Sequence, residues 1–437
     1  MCRKSLTGAI GVCLTVALIA VLAVGCAAPA PASPTPAPAA TPAPAAPTPA
    51  PASPTPAPAA PTPAATSKEP IKIGALFDFT GPVADLGPKF KAGLELAMEE
   101  ANYQVAGRPI KLIIEDSATD VTVALEKFKT LVQRDKIHIC IGPLMGDAHL
   151  AIAPFAAENK VIVTSLFNGM YENIKYKTYV IYPTTVDAQT YAFGKWVYDK
   201  LGYKTMVTVG ANYAGKIGYA NGAAKGFADA GGKVIQQLWP PVGAPDYSPF
   251  IGTIKKADVV LYALEGPGPV SRFVYQYNQA GLKMPLVTIT QDGDYTPEAL
   301  AELGDVALGI PGQSSYTFQL DNPENKKFVQ GITPKINKLF PSGAEVKTYT
   351  LGKVMLAALQ ATGGDESYDK LWPAITSLKL NAPEGPVSFS PDGVAITNMY
   401  VTQAEKKDGK YVLSAPLFTT PIERDQVDKA RGWTPPQ

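Results

Sequence analysis

The chain has 437 residues, with 39 lysine and arginine residues against 38 aspartate and glutamate residues, and two histidines. This near-neutral balance argues against nucleic acid as a partner, and so few histidines exclude a His-rich metal site. None of the four cysteines forms a Cys-x-x-Cys pair, which excludes a metal site of that type.

The first 26 residues are typical of a secretory signal. Two basic residues precede an apolar run that ends at Val24, and small residues lead directly to Cys26. The ending resembles a bacterial lipobox, in which cleavage occurs before a cysteine that then becomes lipidated, so we expect lipidation at Cys26. An uncleaved anchor is the alternative, because the apolar run is about long enough to span a bilayer.

Residues 27–69 are predicted to form a disordered Ala/Pro-rich tether. The segment carries no charge before Lys68, and proline favours an extended, solvated chain that buries no core. Cys140 is then the one cysteine outside the signal and its cleavage site. It stands in an apolar run and is predicted to be an inert core thiol without a disulfide partner.

The roughly 370 residues that follow are enough for two domains. Short apolar strands alternate with amphipathic helices, a pattern that predicts an α/β fold with mostly parallel sheets and right-handed crossovers. Predicted strands lie at 71–79, 110–115, 137–142, 161–165, 179–182, 204–210, 233–238, 258–263, 285–290 and 305–310. Predicted helices lie near 88–102, 120–134, 148–159, 187–201, 216–230, 268–281, 324–340, 346–362 and 367–377.

Three segments are predicted to cross between two sheets. The first is 182–185, where one strand ends and a new series of strands and helices begins. The second is 305–316, because two long helices without an intervening strand follow it. The third is 381–386, after which the tail to Gln403 is expected to form a β meander.

Several motifs in order carry a family resemblance. They are Ile71-Lys-Ile-Gly74, Thr80-Gly-Pro-Val-Ala-Asp-Leu-Gly87, Gly107-Arg-Pro-Ile-Lys-Leu-Ile-Ile-Glu-Asp116, Asp246-Tyr-Ser-Pro-Phe-Ile251, Ala257-Asp-Val-Val260 and Gln279-Ala-Gly-Leu282. Together they cover nearly all of residues 70–415. The chain resembles the leucine/isoleucine/valine-type solute-binding proteins of ABC importers, within the type I periplasmic binding protein superfamily.

The resemblance implies a two-lobed type I periplasmic binding protein fold with a three-crossing hinge. Residues 70–183 and 312–383 would form the N-terminal lobe, and residues 184–311 and 384–437 the C-terminal lobe. The ligand would lie between the lobes, which close about the hinge. The implied ligand-binding residues are Thr80, Leu86, Met145, Gly146, Leu166, Asn168, Tyr213, Glu265 and Asp292.

The sequence departs from the resemblance in the loop after the third strand. Family members grip the ligand carboxylate there with a serine cluster, which this chain replaces with Leu144-Met-Gly-Asp147. The Gly146 amide and the Asn168 side chain remain as donors. Asp147 would either repel a carboxylate or cap the following helix.

Asp292 lies where the family places the acid that pairs with a ligand ammonium group. Its alternative is a solvated turn residue in Gln-Asp-Gly-Asp. Glu265 falls near the family's tyrosine in the second lobe, and Leu86 replaces a frequent aromatic residue. Tyr213 and Phe167 are the expected aromatic walls, although either could belong to the core.

The implied function is a lipid-anchored, extracytoplasmic receptor that captures an amino acid or a related amine or amide. It would be a monomer, would need no cofactor or metal, and would deliver its ligand to ABC permease subunits. Urea-like and aromatic compounds are alternative ligands, and an extracellular sensor module is the alternative function. The sequence contains no G-x-S-x-G, P-loop, HExxH or G-x-G-x-x-G motif, which argues against an enzyme.

Overall fold

The computed structural model describes residues 69–434, so the predicted signal, most of the predicted tether and the expected lipidation site at Cys26 lie outside the described residues. Sixteen strands are present in this part: β1 (Ile71–Phe77), β2 (Gln104–Val105), β3 (Arg108–Asp116), β4 (Ile139–Ile141), β5 (Ile162–Thr164), β6 (Tyr179–Val180), β7 (Thr205–Gly210), β8 (Lys233–Leu238), β9 (Val259–Ala263), β10 (Leu286–Thr288), β11 (Pro311–Ser314), β12 (Lys379–Ala382), β13 (Gly385–Phe389), β14 (Ala395–Lys407), β15 (Lys410–Leu413) and β16 (Phe418–Ile422).

Thirteen α-helices accompany the strands in the same residues. They are α1 (Gly87–Glu100), α2 (Val121–Gln133), α3 (Gly146–Glu158), α4 (Val186–Leu201), α5 (Ala214–Asp229), α6 (Ser248–Ile251), α7 (Pro267–Gln279), α8 (Gln291–Asp294), α9 (Pro297–Leu303), α10 (Pro323–Ile336), α11 (Gly343–Ala361), α12 (Tyr368–Thr376) and α13 (Arg424–Lys429). Two 3-10 helices lie at Tyr171–Tyr176 and Gly304–Ala307. The predicted α/β class is confirmed.

The first sheet has the strand order β2-β3-β1-β4-β5-β6. All its pairings are parallel except the short β2–β3 pairing. Six of the seven β1 residues are buried, because helices cover both faces of the sheet and each face therefore needs apolar side chains. We call this sheet and the helices packed on it the first lobe.

The second sheet has the order β12-β13-β14-β11-β10-β9-β7-β8, and β15 and β16 also pair with β14. Its strands from β7 to β11 are parallel, whereas β14 runs antiparallel to β11. We call the β7–β11 region, its helices and the strands β14, β15 and β16 the second lobe. The expected β meander is present at the β11 edge of that region.

The third crossing differs from the prediction. Residues 381–386 form the closed end of the β12–β13 hairpin, whose Val387 and Phe389 pack in the apolar cluster of α1 and α11. The chain instead crosses along β14. Near its start Ala395 N donates to Ile181 O at 2.9 Å, and farther along β14 pairs with β11.

The predicted strand at 305–310 is also wrong. A 3-10 helix occupies Gly304–Ala307, and the strand of this region is β11, which begins at Pro311. Gly304 and Gly309 both have positive φ angles, of 57° and 74°, so the apolar run between them cannot extend as a strand. Because β11 belongs to the second sheet, a lobe boundary at residue 312 would cut this strand.

Two clusters of buried apolar side chains form the core. One joins the first sheet to α1 and α11 through residues such as Phe90, Leu94 and Met355. The other extends from Phe128 and Ile152 on the opposite face of the first sheet to the second sheet. Within the described part of the chain, no helix combines the length and the hydropathy of a membrane span.

Candidate functional site

A cavity of about 10 Å³, room for about one water molecule, lies at the edge where the strands of both sheets end. Its walls come from both lobes and are lined by Leu86, Phe167, Asn168, Lys216, Glu265, Thr290, Gly293 and Asp294. The carboxyl ends of parallel strands are where ligands bind in open α/β sheets. The cavity therefore lies where ligands bind in proteins with open α/β sheets.

Larger grooves exist on the outer surface. One of about 500 Å³ lies beside α11 and includes Glu100, Lys327 and Lys353 in its lining. Volume alone favours this groove, but its charged groups are partly exposed ion pairs that water solvates. The charged groups of the inner cavity are buried, so their arrangement carries more information about a ligand.

Tyr213 and Asn168 connect the two lobes at the cavity. Asn168 Nδ2 donates to Leu144 O at 2.9 Å and to the Tyr213 hydroxyl at 3.3 Å. The Tyr213 hydroxyl in turn donates to Glu265 Oε2. Burial, followed by the nearby Glu265 charge, raises the pKa of Tyr213 well above 10, so this phenol remains a donor.

Lys216 is a buried cation that the sequence analysis missed. Its side chain is 1% exposed, and its Nζ lies 3.4 Å from Glu265 Oε2 and 3.7 Å from Asp294 Oδ2. Nζ also donates to Thr290 Oγ1 at 2.6 Å, and that hydroxyl donates to Asp294 Oδ2 at 2.8 Å. Burial raises the pKa of Asp294 to about 7, although Lys216 opposes the shift.

A second buried ion pair joins Asp292 to Lys347. Lys347 Nζ lies 2.9 Å from Asp292 Oδ2, and the side chains of both residues are 2% exposed. Ser315 Oγ donates to the same carboxylate oxygen at 2.7 Å. The alternative of a solvated turn is therefore wrong. Lys347 and Ser315 both bind Oδ2 of Asp292, whereas its Oδ1 has no donor among the described residues.

Phe167 adopts the left-handed backbone conformation with φ of 61°, which is unfavourable for an aromatic residue. Its carbonyl accepts hydrogen bonds from Tyr219 OH at 2.6 Å and Gln189 Nε2 at 2.9 Å, both in the second lobe. These donors compensate for the backbone strain. They place the ring in the cavity wall, with Lys347 Nζ 3.8 Å from its centroid.

Asp147 does not cap its own helix, in contrast to the alternative stated from sequence. Helix α3 begins at Gly146 after Met145, which makes no side-chain capping bond. Asp147 Oδ2 instead accepts a hydrogen bond at 3.1 Å from Ala214 N, the first residue of α5 in the second lobe. The carboxylate therefore satisfies an otherwise unpaired helix N-terminus across the gap between lobes.

The remaining expected site residues have other contacts. Thr80 is exposed and donates to Asp116 Oδ2 at 2.7 Å, away from the cavity lining. Gly146 lies against α5, where a Cβ would approach Gly215 N to 2.9 Å. Met145 and Leu166 are buried in the apolar clusters. Of the nine expected residues, Leu86, Asn168 and Glu265 line the cavity.

Lys216, Thr290, Asp294 and Lys347 have no separate signal in the sequence. Lys216 and Lys347 stand on helices, where a lysine usually faces solvent. In the sequence, Asp294 could be recognised only as the last residue of the Gln-Asp-Gly-Asp turn pattern. These side chains are buried where the two lobes meet. The periodicity of a sequence predicts which face of a helix is buried within a lobe, but not which residues a second lobe covers.

The arrangement is suited to binding. It brings together an aromatic ring, amide and hydroxyl groups, two buried ammonium groups and three carboxylates. Two buried acceptor atoms, Asn168 Oδ1 and Asp292 Oδ1, have no hydrogen-bond donor among residues 69–434. The described residues contain no group of three or more His, Cys, Asp or Glu side chains placed to hold a metal ion.

Comparison with known proteins identifies the family. A sequence profile of the periplasmic binding protein family matches residues 70–410. The Leu/Ile/Val-binding protein homolog 6 of Brucella abortus is 28% identical over 348 residues, which cover 77% of this chain and 88% of that relative.

Two solved structures share the fold over the same region. An ABC transporter substrate-binding protein from Sphaerobacter thermophilus has a TM-score of 0.74 and 27% identity, covering 81% of this chain and 98% of that one. A solute-binding protein of an ABC transporter from Rhodopseudomonas palustris, in complex with 3,4-dihydroxybenzoic acid, has a TM-score of 0.75 and 25% identity, with the same coverage. Proteins of this kind bind solutes for import and are not enzymes. The chain belongs to the periplasmic binding protein family and is an extracytoplasmic substrate-binding protein of an ABC transporter.

Proposed function

We propose that the cavity between the lobes is the solute site and that closure of the lobes encloses a small polar solute for delivery to the permease. The observation that carries the proposal is that both lobes supply the lining, with Phe167 and Asn168 from the first lobe and Lys216 and Glu265 from the second. A solute held between them would stabilise the closed state over the open state.

Hydrogen bonds between the lobes support closure as the capture step. Asp147 accepts from Ala214 N, and the Phe167 carbonyl accepts from Tyr219. Each of these bonds exists only when the lobes are close. The proposed lobes are those expected from sequence, adjusted so that β11 stays with the second lobe and β14 forms the third crossing of the hinge.

Amino acids and related amines or amides are the first candidate solutes, and the Brucella relative is named as a Leu/Ile/Val-binding protein homolog. The second candidate is an aromatic compound. The Phe167 ring in the cavity wall favours it, and the relative from Rhodopseudomonas palustris was solved with 3,4-dihydroxybenzoic acid.

We also propose that Cys26 is lipidated and that residues 27–69 tether the receptor to the outer face of the membrane. A diacylated cysteine would supply the two lipid chains that stable anchoring requires. We expect the receptor to act as a monomer. An extracellular sensor module remains the second candidate function, because capture and sensing use the same fold.

A paired substitution tests the location of the site. Isothermal titration of the full-length chain with amino acids, amides and aromatic acids first finds a solute that binds. Lys216→Met should then abolish its binding, because Lys216 is the central cation of the cavity lining. Lys353→Met, on the outer face of α11 and 40% exposed, should leave affinity unchanged.

The reverse result would contradict the proposed site. Binding that survives Lys216→Met but disappears with Lys353→Met would place the solute in the outer groove. Circular dichroism of both variants before titration would verify that each is folded.

A further inference from the structure

We infer that closure of the lobes over the cavity takes up one proton at Asp294, so that the closed state is more stable at lower pH. The inference deepens the proposed function and rests on it, since it assumes that the lobes open and close around this cavity. The closed cavity has room for about one water molecule, so a solute enters only when the lobes open. Proton uptake would therefore regulate the step that captures and releases the solute.

Buried acids outnumber buried lysines where the two lobes meet. Glu265 and Asp294 line the cavity, and a single ammonium group, that of Lys216, lies 3.4 Å from the first carboxylate and 3.7 Å from the second. The neighbouring Asp292 has its own cation, because Lys347 Nζ lies 2.9 Å from its Oδ2. Two buried carboxylates thus share one cation, and one negative charge has no counterion of its own, which is unfavourable in a closed cleft.

The contacts assign the proton to Asp294 rather than to Glu265. Glu265 Oε2 is the oxygen nearer to Lys216 Nζ, and it also accepts a hydrogen bond from the Tyr213 hydroxyl. Asp294 Oδ2 lies 2.8 Å from Thr290 Oγ1, and a hydroxyl group accepts hydrogen bonds as well as donating one. A proton taken from solvent onto Asp294 Oδ2 therefore finds an acceptor, and Glu265 keeps its charge beside Lys216.

The burial of Asp294 depends on the first lobe, because Phe167 and Asn168 line the same cavity from that side. Burial raises the pKa of Asp294 from 3.8 to about 7, the charge of Lys216 opposes this shift, and the charge of Glu265 adds to it. Opening would return the carboxyl group to water and lower its pKa. The stabilisation of the closed state is therefore full below pH 3.8 and is lost as the pH rises through 7.

The other groups that face Asp294 stay neutral between about pH 6 and pH 8. They are four tyrosines, and burial raises the pKa of each above the ordinary value of 10: Tyr213, Tyr219, Tyr262 and Tyr295. The two histidines of the chain do not line the cavity. His149 packs against Tyr179, and His138 lies 3.6 Å from Glu366.

Asp78 and Glu384 are two other buried acids whose pKa is raised toward neutrality by burial, to about 6 and about 8. Asp78 stands at the end of β1 and Glu384 in the β12–β13 hairpin, and neither residue lines the cavity. Variants at these two positions separate their titration from that of Asp294.

Hydrogen exchange of the Ala214 amide measures closure without a solute. This N–H donates to Asp147 Oδ2 across the gap between the lobes, so it exchanges when the lobes separate. We expect its protection factor in the full-length chain, corrected for the intrinsic exchange rate, to fall about tenfold between about pH 6 and pH 8. The Val123 amide, which donates to Asp120 within the first lobe, is the control and should not follow this change.

Two variants test the shared cation. Asp294→Asn and Glu265→Gln each leave a single carboxylate to Lys216, so each should reduce the change at Ala214 to less than about twofold. Circular dichroism verifies folding, and either variant tests the inference if the other does not fold. Glu384→Gln and Asp78→Asn are the matched controls and should keep the tenfold change.

Protection of Ala214 that does not depend on pH in wild type, or a change that persists in Asp294→Asn or Glu265→Gln, would overturn the inference. Loss of the change in Glu384→Gln or Asp78→Asn would also overturn it, because the proton would then belong to that residue. Failure of the proposed function gives a different result, since solute binding would survive Lys216→Met whatever the pH dependence at Ala214. The two failures are therefore distinguishable.

Discussion

The Tyr213 hydroxyl couples the two lobes through one short hydrogen-bond chain. It accepts from Asn168 in the first lobe and donates to Glu265 in the second. Glu265 is 6% exposed and its other close partner is Lys216. Removal of this hydroxyl would therefore leave a buried carboxylate with one donor fewer.

We predict that Tyr213→Phe lowers the free energy of unfolding by about 1–3 kcal/mol, the cost of a lost hydrogen bond to a buried charged group. Solute affinity should fall as well, because Asn168 loses its link to the second lobe. Urea unfolding and isothermal titration measure the two effects. Tyr191→Phe is the control, since its hydroxyl donates to Asp229 at the surface. Equal effects of the two variants would contradict the role given to Tyr213.

The buried carboxyl group of Glu384 also connects segments of the hinge. Glu384, in the β12–β13 turn, accepts hydrogen bonds from Tyr182 OH and, at 2.8 Å, from Thr350 Oγ1. Its backbone carbonyl accepts from Tyr400 OH at 2.7 Å. Tyr182 lies in the first crossing and Tyr400 in β14, so this residue contacts two of the three crossings.

Burial raises the pKa of Glu384 to about 8 from an ordinary value of 4.5. Between these values the folded chain holds a proton that the unfolded chain has released. The contribution of Glu384 to stability is therefore full below pH 4.5 and is lost as the pH rises through 8. Burial also raises the pKa values of Asp294 and Asp78. Both groups therefore contribute, like Glu384, to a loss of folding stability as the pH rises.

We predict that Glu384→Gln reduces the decline of stability between about pH 5 and pH 8, because glutamine stays neutral. The measurement is the free energy of unfolding from urea titrations across this range, taken as the difference between variant and wild type. A difference that stays constant with pH would contradict the raised pKa of Glu384.

At the scale of elements, the N-terminus of α5 is where the second lobe meets the first. Ala214 N donates to Asp147 from α3, and Gly215 lies against Gly146. Both glycines are needed because a Cβ at either position would meet atoms of the other lobe at less than 3 Å. The two helix starts therefore pack directly against each other across the gap between the lobes.

We predict that Asp147→Ala weakens solute affinity by a factor corresponding to about 0.5–2 kcal/mol, the usual cost of a lost N-terminal cap. The loss should come mainly from faster dissociation, because the bond forms only in the closed state. Stopped-flow dissociation rates measure it. Asp120→Ala removes a cap within one lobe, where Asp120 Oδ1 accepts from Val123 N at 2.9 Å. That control should lower stability and leave the dissociation rate unchanged.

Most elements were predictable from sequence because their signals are local. The apolar run from Ile71 and the helical period of α1 specify a strand and a helix without knowledge of the rest of the chain. The 305–310 segment failed because its apolar residues suggest a strand, whereas the positive φ angles of Gly304 and Gly309 are set by the local turns. The prediction of a crossing at 381–386 failed because the bond from Ala395 at the start of β14 to Ile181 has no local signature in the sequence.

The site was less predictable than the fold. Leu86, Asn168 and Glu265 lie in loops after strands. Their place at the carboxyl edge of the sheets therefore follows from the topology. Lys216 and Lys347 lie on helices and are buried only because the two lobes meet over them. Asp147 was expected to interact within its own lobe, and its partner lies in the other lobe.

At the scale of the whole molecule, membrane attachment is a separate prediction. Cys26→Ser should remove the proposed lipidation site and with it the incorporation of lipid into the chain. Metabolic labelling with palmitate measures this effect. Continued labelling of the Cys26→Ser chain would contradict lipidation at this residue.

The central claim is that the solute is bound between the two lobes. The crystal structure of the full-length chain with the tightest-binding compound tests it most directly. We expect density for the compound among Phe167, Asn168 and Lys216, with a donor group within hydrogen-bond distance of Asn168 Oδ1. Density in the groove beside Glu100 and Lys353, with the inner cavity unchanged, would contradict the account.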